Sequence, residues 1–242
     1  MTIRAVKDGV TTTVIKLYDL AGANPDRRFS PFCWRTKMAL AHKELDFETI
    51  PWRYSDRAAI AFANADRVPV IVDGDLPVAD SWKIATYLED SYVERPSLFG
   101  GIHARAAARF VNSWADAILN PILARLLVLD ILDHLDPADK AYFRESREKR
   151  IGMTLEAFAA DVDGNIKALR NALEPLRVTL ATQPFIGGDS PLYSDYIIFG
   201  SLHWARSIGR TRLLETNDPV EAWRERLSDE FGGMARKAPG YW

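Results

Sequence analysis

Ser30 is the residue whose surroundings offer the clearest chemistry. It stands directly before Pro31 and a run of apolar residues, which predicts a helix with the serine as N-cap and the proline as its first residue. The free N–H groups and positive dipole end of such a terminus favour an anion, for example a thiolate. A free thiol has a pKa of about 8.5, and a charge-assisted hydrogen bond of roughly 1.5–3 kcal/mol would lower it by about one to two units. Spacing alone favours the alternative, a serine that only caps the helix.

Two further segments lie downstream. Arg67-Val68-Pro69-Val70 precedes the pair Asp73-Gly74, and Asp80-Ser81 precedes a helical pattern. Taken singly, Pro69 is explained by an edge strand with an ordinary trans peptide bond, since only about 5–6% of X-Pro bonds in folded proteins are cis. Asp80-Ser81 is likewise explained by a helix cap, although a helix start is also a natural site for a carboxylate.

The chain has a single cysteine, Cys33, which excludes an intrachain disulfide and a cysteine-rich metal site. The four histidines lie far apart in sequence, and no metal site is expected. Ser30-Pro31-Phe32-Cys33 looks like the redox motif of glutaredoxins with its first cysteine replaced. In that motif the exposed nucleophile occupies the first position, and a residue three positions later lies one turn into the helix. Cys33 is therefore predicted to be a small core residue, with a reactive thiol as the alternative.

The elements that must position these residues follow from the apolar pattern. Short β-branched and aromatic runs predict strands at residues 14–20, 47–50, 68–72 and 76–78. Helical spacing predicts helices at residues 31–43 and 81–92, and on the first of them Arg35, Lys37 and Lys43 are expected to face solvent. Asp73-Gly74 is typical of a turn between antiparallel strands, so the sheet should be mixed.

The second half of the chain is predicted to be helical. Helical spacing occurs at residues 105–132, 138–158, 165–182, 193–207 and 219–231, with interruptions at Pro121 and Pro175. Residues 93–101 contain Pro96, Gly100 and Gly101 and indicate a linker. The predicted organisation is a first domain over residues 12–93, a linker over residues 94–104 and an all-helical domain over residues 105–242.

Composition excludes several classes of partner. The 31 basic and 33 acidic residues are mixed along the chain and give a net charge of -2, so a nucleic-acid-binding surface is not expected. No apolar run approaches the roughly 18 residues needed to cross a bilayer, and residues 1–13 lack the apolar core of a signal peptide. A cytoplasmic protein without a membrane or nucleic-acid partner is predicted.

Taken together, these segments and the helical half resemble the glutathione S-transferase superfamily over essentially the whole chain. The resemblance implies an α/β plus all-α fold, in which a thioredoxin-like N-terminal domain with a mixed four-stranded sheet is followed by an all-helical C-terminal domain. It implies glutathione as the cofactor, with Ser30 as the catalytic residue that stabilises its thiolate. The residues assigned to glutathione binding are Val68, whose backbone would pair with the cysteinyl part, Pro69 in the cis form, Asp80 and Ser81 at the γ-glutamyl end, Arg67, and Trp34, which is equally compatible with the core.

The segments around Ser30 and Pro69 are most similar to fungal serine-type transferases and to bacterial β-etherases that use glutathione. The similarity implies a homodimer and a small hydrophobic or aromatic electrophile as second substrate. Aromatic residues lie in the helical half where the family places its second-substrate pocket, but none is assigned to it because aromatics at helical spacing are typical of a core. These residues are Trp114, Tyr196, Phe199 and Trp204.

Asp195 follows a turn, Pro184 to Asp189, that resembles the centre of the family's helical domain, where the role of the aspartate is structural. The family usually has Ser or Thr three residues before it, and this chain has Leu192. A reciprocal helix cap is therefore left open, with Ser190 or Asp189 as substitutes.

The leading hypothesis is nucleophilic transfer, in which the glutathione sulfur attacks an electrophilic or aryl-ether carbon. Two alternatives stay open at this point. One is a non-catalytic carrier that holds glutathione and an aromatic ligand in the same cleft. The other is a glutathione-linked thiol redox protein that acts through Cys33.

Overall fold

The computed structural model describes the backbone of residues 5–7 and 10–12 and the whole of residues 14–242. The prediction that residues 1–13 contain no signal peptide concerns a segment whose side chains lie outside the described part of the structure. The strands are β1 (Ala5–Lys7), β2 (Val10–Thr12), β3 (Ile15–Leu20), β4 (Phe47–Trp52), β5 (Val70–Asp73) and β6 (Leu76–Ala79). The helices are α1 (Pro31–His42), a 3-10 helix (Tyr54–Ala63), α2 (Ser81–Ser91), α3 (Ile102–Trp114), a π turn (Ala115–Leu119), α4 (Asn120–His134), α5 (Pro137–Ile151), α6 (Leu155–Phe158), α7 (Val162–Ala172), α8 (Glu174–Leu180), α9 (Tyr193–Ile208) and α10 (Pro219–Lys237).

Strands β3 to β6 form one sheet in the order β4-β3-β5-β6. β3 runs parallel to β4 and antiparallel to β5, and β6 returns antiparallel to β5 after a tight turn. Gly74 in that turn has a φ of 59°, a left-handed conformation that glycine adopts without strain. The mixed four-stranded sheet and the thioredoxin-like first half are confirmed. The hairpin of β1 and β2 is a separate sheet that the sequence did not predict.

The second half is helical, as predicted, but three of its helices are divided. The predicted helix at residues 105–132 consists of α3, the π turn and α4. A second division falls at Gly152, which ends α5 in a left-handed conformation with a φ of 75°. A third separates α7 from α8, where Pro175 in the first turn of α8 cannot continue the preceding helix. The domain limits at residues 12–93, 94–104 and 105–242 stay a prediction, although α2 ends at Ser91 and α3 begins at Ile102.

The prediction that the cations of α1 face solvent is wrong. Helix α1 packs against α9 and α2, and its Lys37 reaches Asp19 on β3, so that its polar positions are enclosed as well as its apolar ones. A buried cation needs a partner because desolvation of an unpaired charge is costly. Each has one: Arg35 lies 2.9 Å from Asp116, Lys37 lies 2.9 Å from Asp19 on β3, and Lys43 lies 2.7 Å from Glu89 on α2.

Gly200 allows α9 to cross α1 at close range. A Cβ atom at this position would overlap with the carbonyl oxygen of Pro31 and would approach Cγ of Arg35 to 3.2 Å. The contact is with backbone, which cannot rotate away. A side chain here would therefore push α9 away from the N-terminal turn of α1.

We expect Gly200→Ala to destabilise the protein by about 1–3 kcal/mol, the usual cost of overpacking. In a helix interior free of contacts the same change would instead stabilise by about 0.5–1 kcal/mol. The sign of the change in the free energy of unfolding, measured by urea unfolding, therefore shows whether α9 crosses α1 at close range. A variant as stable as the wild type or more stable would contradict the close crossing.

His203 on α9 is fully buried without a hydrogen-bond partner for either ring nitrogen among the described residues. Its ring lies against Trp34, with 4.0 Å between ring centroids, and against Phe199 at 5.3 Å. Burial, together with the charges of Arg206, Lys37 and Arg224, holds the pKa of His203 well below 6.5. The imidazole is therefore neutral in the folded protein throughout the physiological pH range.

The unfolded chain takes up a proton at His203 as the pH falls below about 6.5, and the folded protein does not. The free energy of unfolding should therefore fall with decreasing pH by about 1.4 kcal/mol per unit from this residue, or about 2 kcal/mol between pH 6.5 and 5. His203→Phe should remove that part of the slope, measured by urea unfolding at several pH values. His103→Gln, at an exposed position, is the control. An unaltered slope in His203→Phe would show that the ring is protonated in the fold.

Candidate active site

Ser30 is the N-cap of α1, as the sequence predicts. Its Oγ accepts a hydrogen bond from the N–H of Cys33 at 3.2 Å, which satisfies a free amide of the first turn. The hydroxyl hydrogen has no acceptor among the residues that the structure describes in full. Because a hydroxyl can accept and donate at the same time, the capping role leaves Ser30 free to donate to a ligand.

The turn between β5 and β6 brings the other two segments together. The Val68–Pro69 peptide bond is cis, as the resemblance implies. The N–H of Asp80 donates to the carbonyl oxygen of Pro69 at 3.2 Å. Asp80 in turn caps α2, accepting from the N–H groups of Trp82 at 3.1 Å and Lys83 at 3.0 Å. A backbone hydrogen bond thus joins the cis-proline to the start of α2.

A polar cavity of about 580 Å³ opens at the start of α2. The N-terminal turn of α2 and the side chains of Lys83 and Arg109 supply positive charge, and Asp80 and Asp116 supply negative charge. Such a lining suits a ligand that carries both an ammonium group and a carboxylate. The lining residues are Phe32, Asp80, Ser81, Trp82, Lys83, Arg109, Asn112, Ser113 and Asp116.

A second, mainly apolar cavity of about 530 Å³ adjoins it, and the two share Phe32 and Asp116. Ser30 lines this second cavity and precedes the shared residue Phe32 by two positions. Its walls come from the first half of the chain, from the π turn and from four helices of the second half, with aromatic rings on several sides. These rings belong to Phe29, Phe32, Trp52, Tyr54, Phe143, Phe158 and Trp204. Its volume is that of a pocket for a small organic molecule.

Arg35 links α1 to Asp116, one of the two residues that both cavities share. Its guanidinium donates to Asp116 at 2.9 Å, to Asn112 at 3.1 Å and to the carbonyl oxygen of Ile197 at 3.2 Å. Asn120 also donates to Asp116, at 3.1 Å. Because Asp116 lies in the π turn, one buried cation joins the helix that carries Ser30 to the boundary between the two cavities.

Residues 29–91 match the model of the glutathione S-transferase N-terminal domain, and residues 106–229 match the model of the glutathione S-transferase C-terminal domain. The second match alone spans more than half of the chain. The chain belongs to the glutathione S-transferase family.

Curated relatives of this glutathione S-transferase include plant enzymes. It is 31% identical to glutathione S-transferase Z1 of Arabidopsis thaliana over 177 residues, which cover 71% of each chain. It is 24% identical to glutathione S-transferase 4 of Zea mays over 224 residues, which cover 90% of each chain.

Solved structures of the family share the fold. Glutathione transferase GSTFuA3 from Phanerochaete chrysosporium superposes with a TM-score of 0.81 at 23% identity, covering 90% of this chain and 97% of the other. The glutathione S-transferase CsGST63524 of Ceriporiopsis subvermispora, solved in complex with glutathione, gives a TM-score of 0.78 at 24% identity, covering 91% of this chain and 97% of the other.

The residues predicted for the site of this glutathione S-transferase divide between the cavities. Ser30, Arg67 and Val68 line the apolar cavity, Asp80 and Ser81 line the polar one, and Pro69 is buried between Val68 and β5.

Trp34 lines neither cavity. It is 1% exposed, and its indole N–H donates to the carbonyl oxygen of Arg28 at 2.8 Å. The ring thus occupies the core, which was the other interpretation of its sequence pattern.

Several lining residues were not identified from the sequence. Trp204 was named without being assigned, and Asp116, Tyr54, Arg147 and Arg150 were not named. They come from four separate elements, and no motif connects them.

None of the helices in the described part of the chain is long and apolar enough to span a bilayer. Within the same residues, His, Cys, Asp and Glu side chains form no group of three or more that could hold a metal ion.

Proposed function

We propose that this protein transfers glutathione to a small electrophile with an aromatic or otherwise apolar body, and that Ser30 holds the glutathione sulfur as a thiolate. The observation that carries the proposal is the position of Ser30. Its hydroxyl is satisfied as an acceptor by the N–H of Cys33, it retains a donor hydrogen, and it lines the apolar cavity next to the polar one. A bound thiolate there would also gain from the dipole of α1.

Glutathione would bind across the polar cavity. Its γ-glutamyl end carries an ammonium and a carboxylate, which match the mixed charges beside Asp80 and Ser81. The backbone of Val68 is available for the cysteinyl part, because it makes no backbone hydrogen bond within the described chain. The Ceriporiopsis subvermispora structure in complex with glutathione supports the same cofactor here.

The second substrate would enter the apolar cavity, with its reacting carbon towards Ser30. The local similarity around Ser30 and Pro69 makes a serine-type enzyme the finer proposal, with cleavage of a β-aryl ether as one reaction to test. A cytoplasmic homodimer is a prediction from the family resemblance.

The test combines binding and turnover. Glutathione affinity is measured by calorimetry, and glutathione-dependent release of chloride is then measured with 1-chloro-2,4-dinitrobenzene, followed by a panel that includes a β-aryl ether. Turnover above the uncatalysed rate is the expected result. Saturable binding of glutathione and of an aromatic ligand without product from any member of the panel would overturn the proposal and favour the carrier.

The redox alternative receives little support from Cys33. The side chain is fully buried, and burial, followed by the nearby charge of Asp19, raises the pKa of its thiol well above 9.0. A protonated and enclosed thiol is a poor nucleophile. Cys33→Ala should retain the transferase turnover, and loss of turnover in a folded Cys33→Ala protein would favour redox chemistry instead.

A further inference from the structure

One part of the apolar cavity carries a group of guanidinium side chains. Arg67, Arg147 and Arg150 all line it, and the single acidic residue in its lining is Asp116, which is already paired with Arg35. Arg147 is half-buried, whereas Arg67 and Arg150 are exposed to solvent. Arg147 therefore lies partly against aromatic and aliphatic walls, which do not solvate charge.

Two of these three charges lack an acidic partner. Arg67 forms a bidentate salt bridge with Asp66, in which its Nε and Nη2 donate to the two carboxylate oxygens at 2.8 and 3.2 Å. Arg147 and Arg150 form no ion pair with any carboxylate among residues 14–242, and Arg147 donates a hydrogen bond to the hydroxyl of Ser146 at 2.9 Å.

Two acidic residues of α5 are engaged elsewhere. Both oxygens of Asp139, on the same helix as Arg147, accept from backbone amides, those of Tyr54 at 3.0 Å and Ser55 at 2.8 Å. Glu148 accepts from Arg144 at 2.8 Å. Neither carboxylate therefore neutralises the cationic group.

Aromatic rings hold Arg147 in place. Its guanidinium carbon lies 4.9 Å from the ring centre of Tyr54 and 4.5 Å from that of Phe143. Partial burial and the like charges of Arg147 and Arg67 lower the pKa of Arg150, as expected of cations that face one another without an anion between them. The site thus combines a half-buried Arg147 held by aromatic rings with an exposed Arg150 beside it. Neither is paired with a carboxylate among residues 14–242, and both border apolar surface.

We propose that the second substrate of this enzyme is an aromatic carboxylate, with the ring against the aromatic walls and the carboxylate paired with Arg147 and Arg150. The inference rests on the transferase function proposed above and specifies its substrate class. Guanidinium groups bind a carboxylate through paired hydrogen bonds, and the apolar walls beside the half-buried Arg147 strengthen that contact relative to open solvent.

A matched pair of substrates tests the role of the carboxylate. 4-Chloro-3,5-dinitrobenzoate and its neutral amide share the ring, the nitro groups and the leaving group. In both, the glutathione thiolate forms a bond to the ring carbon that carries chlorine, and chloride leaves with the bonding electron pair. Dividing each kcat/KM by the uncatalysed rate constant removes the difference in intrinsic reactivity.

We expect the wild type to prefer the carboxylate and Arg147→Gln to lower that preference about tenfold, mainly through KM, the usual size of one partly exposed charge-assisted contact. Arg150→Gln should act in the same direction. Arg144→Gln is the matched control, because Arg144 lies one turn earlier on α5, pairs with Glu148 and Glu156, and does not line the cavity.

Equilibrium binding of the unreactive 2-naphthoate and 2-naphthamide, measured by calorimetry, decides the inference independently of turnover. Tighter binding of the naphthoate that weakens in Arg147→Gln and Arg150→Gln, but not in Arg144→Gln, supports it. Equal binding of the two ligands, or a preference that survives both substitutions, overturns it. Absence of turnover with both chlorinated substrates, by contrast, counts against the proposed transferase function.

Discussion

Ser30→Ala should lower kcat/KM with 1-chloro-2,4-dinitrobenzene by about 10- to 100-fold and raise the pKa of bound glutathione by about one to two units. The hydroxyl is the proposed donor to the thiolate, and a hydrogen bond to a charged acceptor contributes roughly 1.5–3 kcal/mol. The helix dipole remains in the variant, so part of the stabilisation should survive. The pKa is read from the thiolate absorbance of the complex as a function of pH.

Loss of the cap must be separated from loss of the donor, since Ser30 also accepts from Cys33. Ser30→Gly preserves most of the capping energy without a hydroxyl, and Ser30→Thr preserves the hydroxyl. Asp161→Ala removes a cap of the same geometry on α7, where the carboxylate accepts from Gly164 at 3.0 Å. If Ser30→Gly keeps the wild-type thiolate pKa, the serine is a cap and nothing more.

Asp195→Ala should destabilise the protein more than any other single change considered, by roughly 4 kcal/mol or more. The buried carboxylate accepts four hydrogen bonds, from the backbone N–H groups of Ile186 at 2.7 Å, Gly187 at 2.9 Å and Leu192 at 3.0 Å, and from the indole N–H of Trp223 at 2.9 Å. Each buried donor left unsatisfied costs about 1–3 kcal/mol. Urea unfolding, or loss of soluble folded protein, measures the effect.

Asp195→Asn should have a stability between those of the wild type and Asp195→Ala, because its amide oxygen still accepts hydrogen bonds while its NH2 group opposes backbone donors. Asp218→Ala is the control, since it removes the cap of α10 and the pairs with Arg177 but leaves fewer buried groups unsatisfied. Asp195→Ala and Asp218→Ala proteins of equal stability would contradict the role of Asp195 as the centre of four hydrogen bonds.

The sequence left open whether Asp195 takes part in a reciprocal helix cap with residue 192, and the structure shows which part of that cap is present. With Leu192 in place of Ser or Thr, half of the reciprocal cap remains, in which Asp195 accepts from the N–H of Leu192. The other half is replaced by a backbone contact, from the N–H of Asp195 to the carbonyl oxygen of Leu192 at 2.9 Å. The proposed substitutes, Ser190 and Asp189, form no side-chain hydrogen bond within the described chain.

The spacing of apolar residues predicted helices and strands well where one face of the element is apolar and where turn residues mark the chain reversals. It located the sheet, the caps at Ser30 and Asp80, and the helical half. It failed for Arg35, Lys37 and Lys43, because a charged side chain is normally predicted to face solvent. Only the tertiary packing of α1 buries these three and supplies each with an acidic partner.

The cavity lining could not be predicted for a related reason. Arg147 is one of several charged residues on α5, and its spacing does not distinguish it from Arg144, which pairs with glutamates outside the cavity. Asp116 lies in a π turn, a departure from the regular helix that the sequence did not indicate. Both positions depend on how distant elements pack.

The contact of Arg35 with Asp116, and the close crossing at Gly200, limit how the two halves of this chain could be exchanged with those of relatives. A chimera that joined this N-terminal half to another helical half would bury a guanidinium without its anion unless Asp116 and Asn112 were matched, and would separate α1 from α9 unless a glycine stood at position 200. If Ser30 holds the glutathione sulfur as proposed, changes in the helical half that move α1 would also alter the reactivity of that sulfur, and specificity and reactivity would evolve together.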